Sequence, residues 1–279
     1  MSSPVPEKTE DLEIKLLLDA LYRKYHYDFR GYSMASVKRR LSQAREQLDC
    51  PTYSALQERV LHDSSVLPKL LSFLTVQVSD LFRDPSYFRA IRELVVPHLK
   101  TYPSLKVWVA GCSAGEELYS LAILFREEGI EDRTIFYGTD INPDALQRAE
   151  SGVYELDRIS QFTENHRLSG GKSSLSDYYT AAYGAAVIDK SLRKRAVFSD
   201  HSLASDTVFG EMHLVSCRNV LIYFDQELQD RAIGLFKDSL IRKGFLGLGA
   251  KESLRFSKHA SDFTEFSRGE RIFQKQGPL

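Results

Sequence analysis

Val107-Trp108-Val109-Ala110-Gly111-Cys112-Ser113-Ala114-Gly115-Glu116-Glu117 is an apolar run that passes through two glycines into an acidic segment. It predicts a buried strand, a tight turn and a helix start, with glycines where backbone must come close to a ligand at the carboxyl end of a sheet strand. Beyond it, amphipathic and apolar stretches alternate: a helix over 116–128, a strand over 134–139 and a helix over 143–151 begun by Asn142-Pro143. The rhythm resumes with a strand at 213–217, a helix at 226–241, a strand at 245–249 and a last strand at 271–275. Such alternation predicts a parallel, doubly wound sheet with helices on both faces. Before it, from Asp11 to about Tyr102, apolar residues recur at helical spacing, as in Leu12, Leu16, Leu17, Leu21 and Tyr25, and nothing alternates with period two. That third predicts a helical domain. Asp84-Pro85 supplies an N-cap and a first-turn proline for a helix running towards Leu99, which places the junction of the two domains between residues 82 and 83.

The stretch 152–203 interrupts the rhythm. Ser169-Gly170-Gly171-Lys172-Ser173-Ser174 is rich in turn formers, and Tyr178-Tyr179-Thr180, Ala185-Ala186-Val187-Ile188 and Ala196-Val197-Phe198 are short strand candidates. Together they predict a small antiparallel insertion over about 155–200.

Composition narrows the function classes. The 279 residues carry 37 basic and 38 acidic side chains, a formal charge of -1, which argues against a surface built for nucleic acid. Cys50, Cys112 and Cys217 are odd in number and far apart, and suggest neither a disulfide framework nor a metal site. With no signal-peptide pattern and no apolar stretch of membrane-spanning length, a soluble cytoplasmic protein is expected.

Three constellations carry chemistry. The first is the glycine turn itself. It lacks the spacing of a dinucleotide site and of a phosphate-binding P-loop. Asp140, at the end of the next strand, is the second, placed where a carboxylate can accept from both hydroxyls of a ribose. Helix capping competes for it, but Asn142 already supplies a cap. Cys217-Arg218-Asn219-Val220-Leu221-Ile222-Tyr223-Phe224 is the third, bringing an arginine, an amide and a phenol to the end of a strand expected beside the glycine turn. A rival reading takes Gly111-Cys112-Ser113-Ala114-Gly115 as a serine-hydrolase elbow, with Ser113 as nucleophile and Asp140 and His201 or His213 as partners. It is disfavoured because the elbow normally follows several strands and an oxyanion loop, and the preceding third is helical.

Thr75 to Asp84, Gly111 to Ser120, Gly138 to Ile141, Cys217 to Phe224 and Leu248 to Leu254 resemble, in order and spacing, the successive signatures of CheR-type chemoreceptor glutamate O-methyltransferases. The similarity covers nearly the whole chain. It implies an α/β protein: an all-helical N-terminal domain, a Rossmann-like S-adenosylmethionine-dependent methyltransferase domain and a small β-subdomain inserted in it. It further implies a glutamate of a methyl-accepting, chemoreceptor-like protein as substrate. Carried over by position, Gln77, Ser79 and Arg83 border the cofactor, Glu117 and Asp140 hold its amino-acid and nucleoside parts, and Ser202, Leu203, Arg218 and Asn219 complete the pocket with Gly111 and Gly115. Arg83 and Tyr223 become the catalytic candidates. Lys38, Arg39, Arg40 and Arg45 cluster on a predicted helix and become candidates for meeting an acidic receptor helix, with a solvated helix face as the alternative. The chain departs from the family pattern at Ser79 (commonly Thr), Leu81 (Phe), Leu118 (Pro) and His213 (Asp). A non-catalytic module that binds S-adenosylmethionine is the second functional class.

Overall fold

In the computed structural model, which describes residues 8–208 and 210–277, Leu105–Ala110 forms β1, inside a seven-stranded sheet. Its side chains go alternately to two cores. Val107 and Val109 pack with Leu118, Leu121 and Phe136 on one face, and Trp108 and Ala110 with Ala232, Ile233 and Phe236 on the other. A strand covered on both sides must be apolar throughout, which is why Val107 to Ala110 reads as an unbroken hydrophobic run.

The chain leaves β1 through the glycine turn into α7 (Glu116–Glu127) and returns in β2 (Thr134–Asp140), parallel to β1. α8 (Pro143–Ser151) follows, capped as expected by Asn142, whose side chain accepts from the backbone of Asp144 and Ala145. The main sheet continues with β6 (Ala196–Asp200), β7 (Met212–Cys217), α11 (Gln226–Ser239), β8 (Leu240–Leu248), β9 (Phe263–Ser267) and β10 (Ile272–Lys275). Strand order is β6-β2-β1-β7-β8-β10-β9, with the first five parallel and β10 antiparallel to both of its neighbours. From β1 the chain winds first to the β2 side and later returns to the β7 side. The crevice at the carboxyl ends of β1 and β7 is therefore the topological switch point, where doubly wound sheets bind ligands.

The N-terminal third is helical: α1 (Thr9–Tyr25), α2 (Met34–Gln47), α3 (Tyr53–His62) and α4 (Val66–Leu74) close around Leu17, Leu21, Leu41, Leu56 and Leu71. The expected helix from Pro85 is present, but as α5 (Pro85–Ala90), a π turn over Ile91–Val95 and α6 (Val96–Leu99). Pro97 has no N–H for the carbonyl one turn back, and the widened turn accommodates that loss. Asp84 does not cap this helix. Its backbone is left-handed and its carboxylate pairs with Arg218 at 2.8 Å.

The insertion differs from expectation in one strand. Its sheet is β3 (Val153–Glu155), β5 (Ala185–Ile188) and β4 (Tyr179–Ala182), in the order β3-β5-β4. Ala196 to Phe198 belongs instead to the edge strand of the main sheet, in parallel register with β2. A short strand carries no sequence mark for its partner, and Val153 to Glu155 is too short to show a period. Two helices in this region, α9 (Ile159–Leu168) and α10 (Lys190–Arg193), were not expected. α9 is held down by a buried cluster in which Glu127 accepts from Arg92 at 2.6 Å and pairs with His166 at 2.9 Å.

Candidate active site

Gly111 begins the site because only a residue without Cβ fits there. Its φ is +71°, and a Cβ would lie 2.5 Å from Val220, so the glycine turn and the segment leaving β7 touch. The turn is fixed from below by Asp140, whose two carboxylate oxygens accept from the backbone of Ser113 and Asn142, each at 2.9 Å. Burial pushes the Asp140 carboxyl up from its ordinary range, against these hydrogen bonds. Ser113 donates its hydroxyl to Gln77 at 2.8 Å, which ties the domain junction to the turn.

Around this turn lies a cleft lined by residues of both domains. Of the sequence-predicted residues, Gln77, Ser79, Arg83, Gly111, Glu117, Asp140, Leu203, Arg218, Asn219 and Tyr223 line it together. Gly115 and Ser202 do not. Gly115 is the left-handed entry to α7, packed against Ala149 and Tyr119, and Ser202 shapes a turn closed by Asp206. Glu117 faces the cleft while accepting from Ser216 at 2.6 Å and Arg218 at 3.1 Å. Arg218 spans to the Arg83 carbonyl and Asp84, and its guanidinium lies 4.1 Å from the centre of the Tyr87 ring. Arg158 braces the opposite lip through Asp80, Glu116 and the Ser79 carbonyl.

The four basic residues assigned to partner binding do not form one patch. Successive helical residues point about 100° apart, so Lys38, Arg39 and Arg40 cannot share a face. Lys38 pairs with Glu10 and Asp11, Arg39 is exposed, and Arg45 lies over the Tyr53 ring. Arg40 turns inward. It is 4% exposed, lines the cleft, donates to the Leu74 carbonyl and sits 4.2 Å from the centre of the Tyr223 ring, while its Nη2 has no hydrogen-bond partner among the described residues. Burial lowers its affinity for a proton. Tyr32, another lining residue that the sequence left unmarked, packs edge-on against Phe224. The chain beside it pairs with the segment around Tyr223, Ser33 N–H donating to the Tyr223 carbonyl and Asp225 N–H to that of Gly31. The helical domain thus supplies one wall.

The hydrolase alternative fails on geometry. Ser113 bonds Gln77, Asp140 is engaged by backbone, His201, though in the cleft lining, turns Nε2 to the Thr207 carbonyl at 3.0 Å, and His213 lies at the opposite end of the sheet, accepting from Lys106 N–H at 3.1 Å. Burial lowers the affinity of the His213 ring for a proton, which favours the neutral form whose Nδ1 can accept that bond. Among the described residues no helix is long and apolar enough to cross a membrane, and no cluster of His, Cys, Asp and Glu could hold a metal ion.

Comparison with known proteins agrees with this arrangement. The family described as CheR methyltransferase, SAM binding domain matches residues 77–270, and CheR methyltransferase, all-alpha domain matches 12–75. A Pseudomonas putida protein, Cher3, whose name assigns it provisionally to the methyltransferases, is 57% identical over 96% of this chain and 98% of its own. The chemotaxis protein methyltransferase of Listeria innocua is 32% identical over 81% of this chain and 84% of its own. Chemotaxis protein methyltransferase 2 of Pseudomonas aeruginosa is 27% identical over 88% and 86%.

Proposed function

Because the chain belongs to the CheR methyltransferase family, whose methyl donor is S-adenosylmethionine, we propose that it methylates glutamate side chains of a chemoreceptor-like, methyl-accepting protein in the cytoplasm. The similarity to named chemotaxis methyltransferases supports this choice of substrate. The observation that carries it is the pairing of Arg40 with Tyr223 in a cleft that also holds Asp140 and Glu117. The lining thus brings two acids, the cations Arg40, Arg83 and Arg218, and a phenol together.

The two acids fit the donor. Asp140 can accept from sugar hydroxyls and Glu117 can face an ammonium group, with Gln77, Ser79, Leu203 and Asn219 closing round them. S-Adenosylmethionine supplies a methyl group made electrophilic by a positively charged sulfur. Arg40 and Arg83, both in the lining, can receive a carboxylate, and the Tyr223 hydroxyl can hold one of its oxygens in line. A glutamate of pKa ~4.3 is ionised at neutral pH, so the residues need not remove a proton. What they contribute is alignment, which is worth up to ~7–11 kcal/mol in well-oriented reactions. Too tight an ion pair would blunt the nucleophile, so orientation is the main task of both arginines.

The experiment is transfer of labelled methyl groups to receptor fragments. Arg83→Ala and Tyr223→Phe should keep the fold but lose transfer, and Tyr223→Phe should also keep the affinity for S-adenosylhomocysteine. Near-normal rates in both variants would overturn the assignment. Absence of S-adenosylhomocysteine binding by the unaltered protein would overturn the placement of the donor.

A further inference from the structure

Leu248-Gly249-Ala250-Lys251-Glu252-Ser253-Leu254 follows β8, and its acid is not among the residues lining the cleft. Resting on the methyltransferase reading above, we propose that Glu252 is a positioning residue for methyl transfer: its carboxylate moulds the backbone from Asn219 to Ile222 and so presents Asn219 and Tyr223 to the cleft.

Glu252 is 4% exposed. One carboxylate oxygen accepts from Asn219 N–H at 3.1 Å and Gly249 N–H at 2.6 Å, the other from Val220 N–H at 2.9 Å and Ile222 N–H at 3.3 Å. Four backbone donors converge on one side chain, and three of them belong to the segment between Arg218 and Tyr223. Asn219 is held at a φ of +60°, a left-handed conformation uncommon outside glycine and best tolerated by asparagine and aspartate. The segment is anchored before this point by Arg218 to Glu117 and Asp84, and after it by Ser33 N–H to the Tyr223 carbonyl. Glu252 supplies the hold between these anchors.

Gly249 makes the contact possible. A Cβ there would come 2.8 Å from both Asn219 N and the Glu252 carboxylate, so a side chain at 249 would wedge the two apart. Two acceptor oxygens are needed for four donors. A glutamine offers one oxygen and turns an NH2 group against the remaining N–H groups, and an aspartate is one methylene short.

The test uses the full chain. Glu252→Gln and Gly249→Ala should each lower kcat by about 10- to 100-fold, the scale of an ångström-sized misplacement, with the receptor KM moving by less than about threefold. The same substitutions placed in a Tyr223→Phe background should cost much less of the residual transfer rate, read with concentrated enzyme and labelled donor, because one of the two residues through which they act is already disabled. A melting temperature that falls while kcat per folded molecule stays near wild type would reduce Glu252 to a structural residue and overturn the proposal. So would full additivity with Tyr223→Phe. Should Glu252→Gln fail to fold, Gly249→Ala carries the test alone. An unaltered protein that transfers no methyl group defeats the methyltransferase reading instead, so the two failures are distinct.

Discussion

Arg40→Met removes the buried charge at the cleft while keeping most of the apolar stem. Against stability the change loses a hydrogen bond from a charged donor to the Leu74 carbonyl, ~1.5–3 kcal/mol, and a cation–ring contact with Tyr223, ~0.5–2 kcal/mol. In its favour it lifts the cost of burying a guanidinium whose Nη2 is unsatisfied, several kcal/mol in magnitude. These terms offset, so the melting temperature should move by no more than a few degrees, about 2–4 °C per kcal/mol for a chain of this size. Catalysis has no such offset. If Nη2 takes a substrate carboxylate oxygen, its loss removes a charge-assisted hydrogen bond of ~1.5–3 kcal/mol, a drop in kcat/KM of about 10- to 150-fold. The assay is initial-rate methyl transfer to a receptor fragment at saturating donor, with calorimetric titration of S-adenosylhomocysteine alongside. Arg40→Lys should lie between the two, since an ammonium keeps the charge without the planar fork. A kcat/KM for Arg40→Met within about threefold of wild type, or a loss matched by an equal loss of S-adenosylhomocysteine affinity, would refute the substrate role.

Three further outcomes follow from the packing. Although burial opposes it, hydrogen bonds from His166 and Arg92 carry the Glu127 carboxyl down to about 2; a depressed acid stabilises above its unfolded value and loses that stabilisation as pH falls through the folded one. Glu127→Gln should therefore cost on the order of 3 kcal/mol at neutral pH and flatten the acid unfolding curve between about pH 5 and 2, and a urea midpoint unchanged at pH 7 would count against it. Gly247→Ala places a methyl group into the Tyr87 hydroxyl and should destabilise by ~1–3 kcal/mol, read from the thermal midpoint; an unshifted midpoint would show that Tyr87 can move aside. His213→Asp keeps an acceptor for Lys106 N–H and should melt within a degree or two of wild type, whereas His213→Leu leaves that N–H without its partner and should cost ~1–3 kcal/mol; equal midpoints would remove the contact from the account.

The parts of this protein legible in sequence are those governed by local periodicity and short-range chemistry. Val107 to Ala110 announces a strand covered on both faces, Asn142-Pro143 a helix start, and the glycines a turn that must come close to its neighbours. Ten of the residues picked for the pocket meet in one cleft because they lie near the carboxyl ends of β1, β2, β6 and β7 or at the junction before α5, places set by the winding of the chain. The tertiary structure decided the rest, and for a common reason: the partner of each group lies far away in sequence. Ala196 to Phe198 joins the main sheet because β2 offers it an edge, and nothing in three residues shows which edge they will find. Asp84 gives up a cap for Arg218, 134 positions on. Arg40 is one cation among four along α2 until packing against Tyr223 turns it inward, and Glu252, within a stretch the sequence marks, has no role assigned until four backbone N–H groups close on it. Hydrogen-bond direction and burial are properties of neighbours, and neighbours separated by a hundred residues exist only in the folded chain.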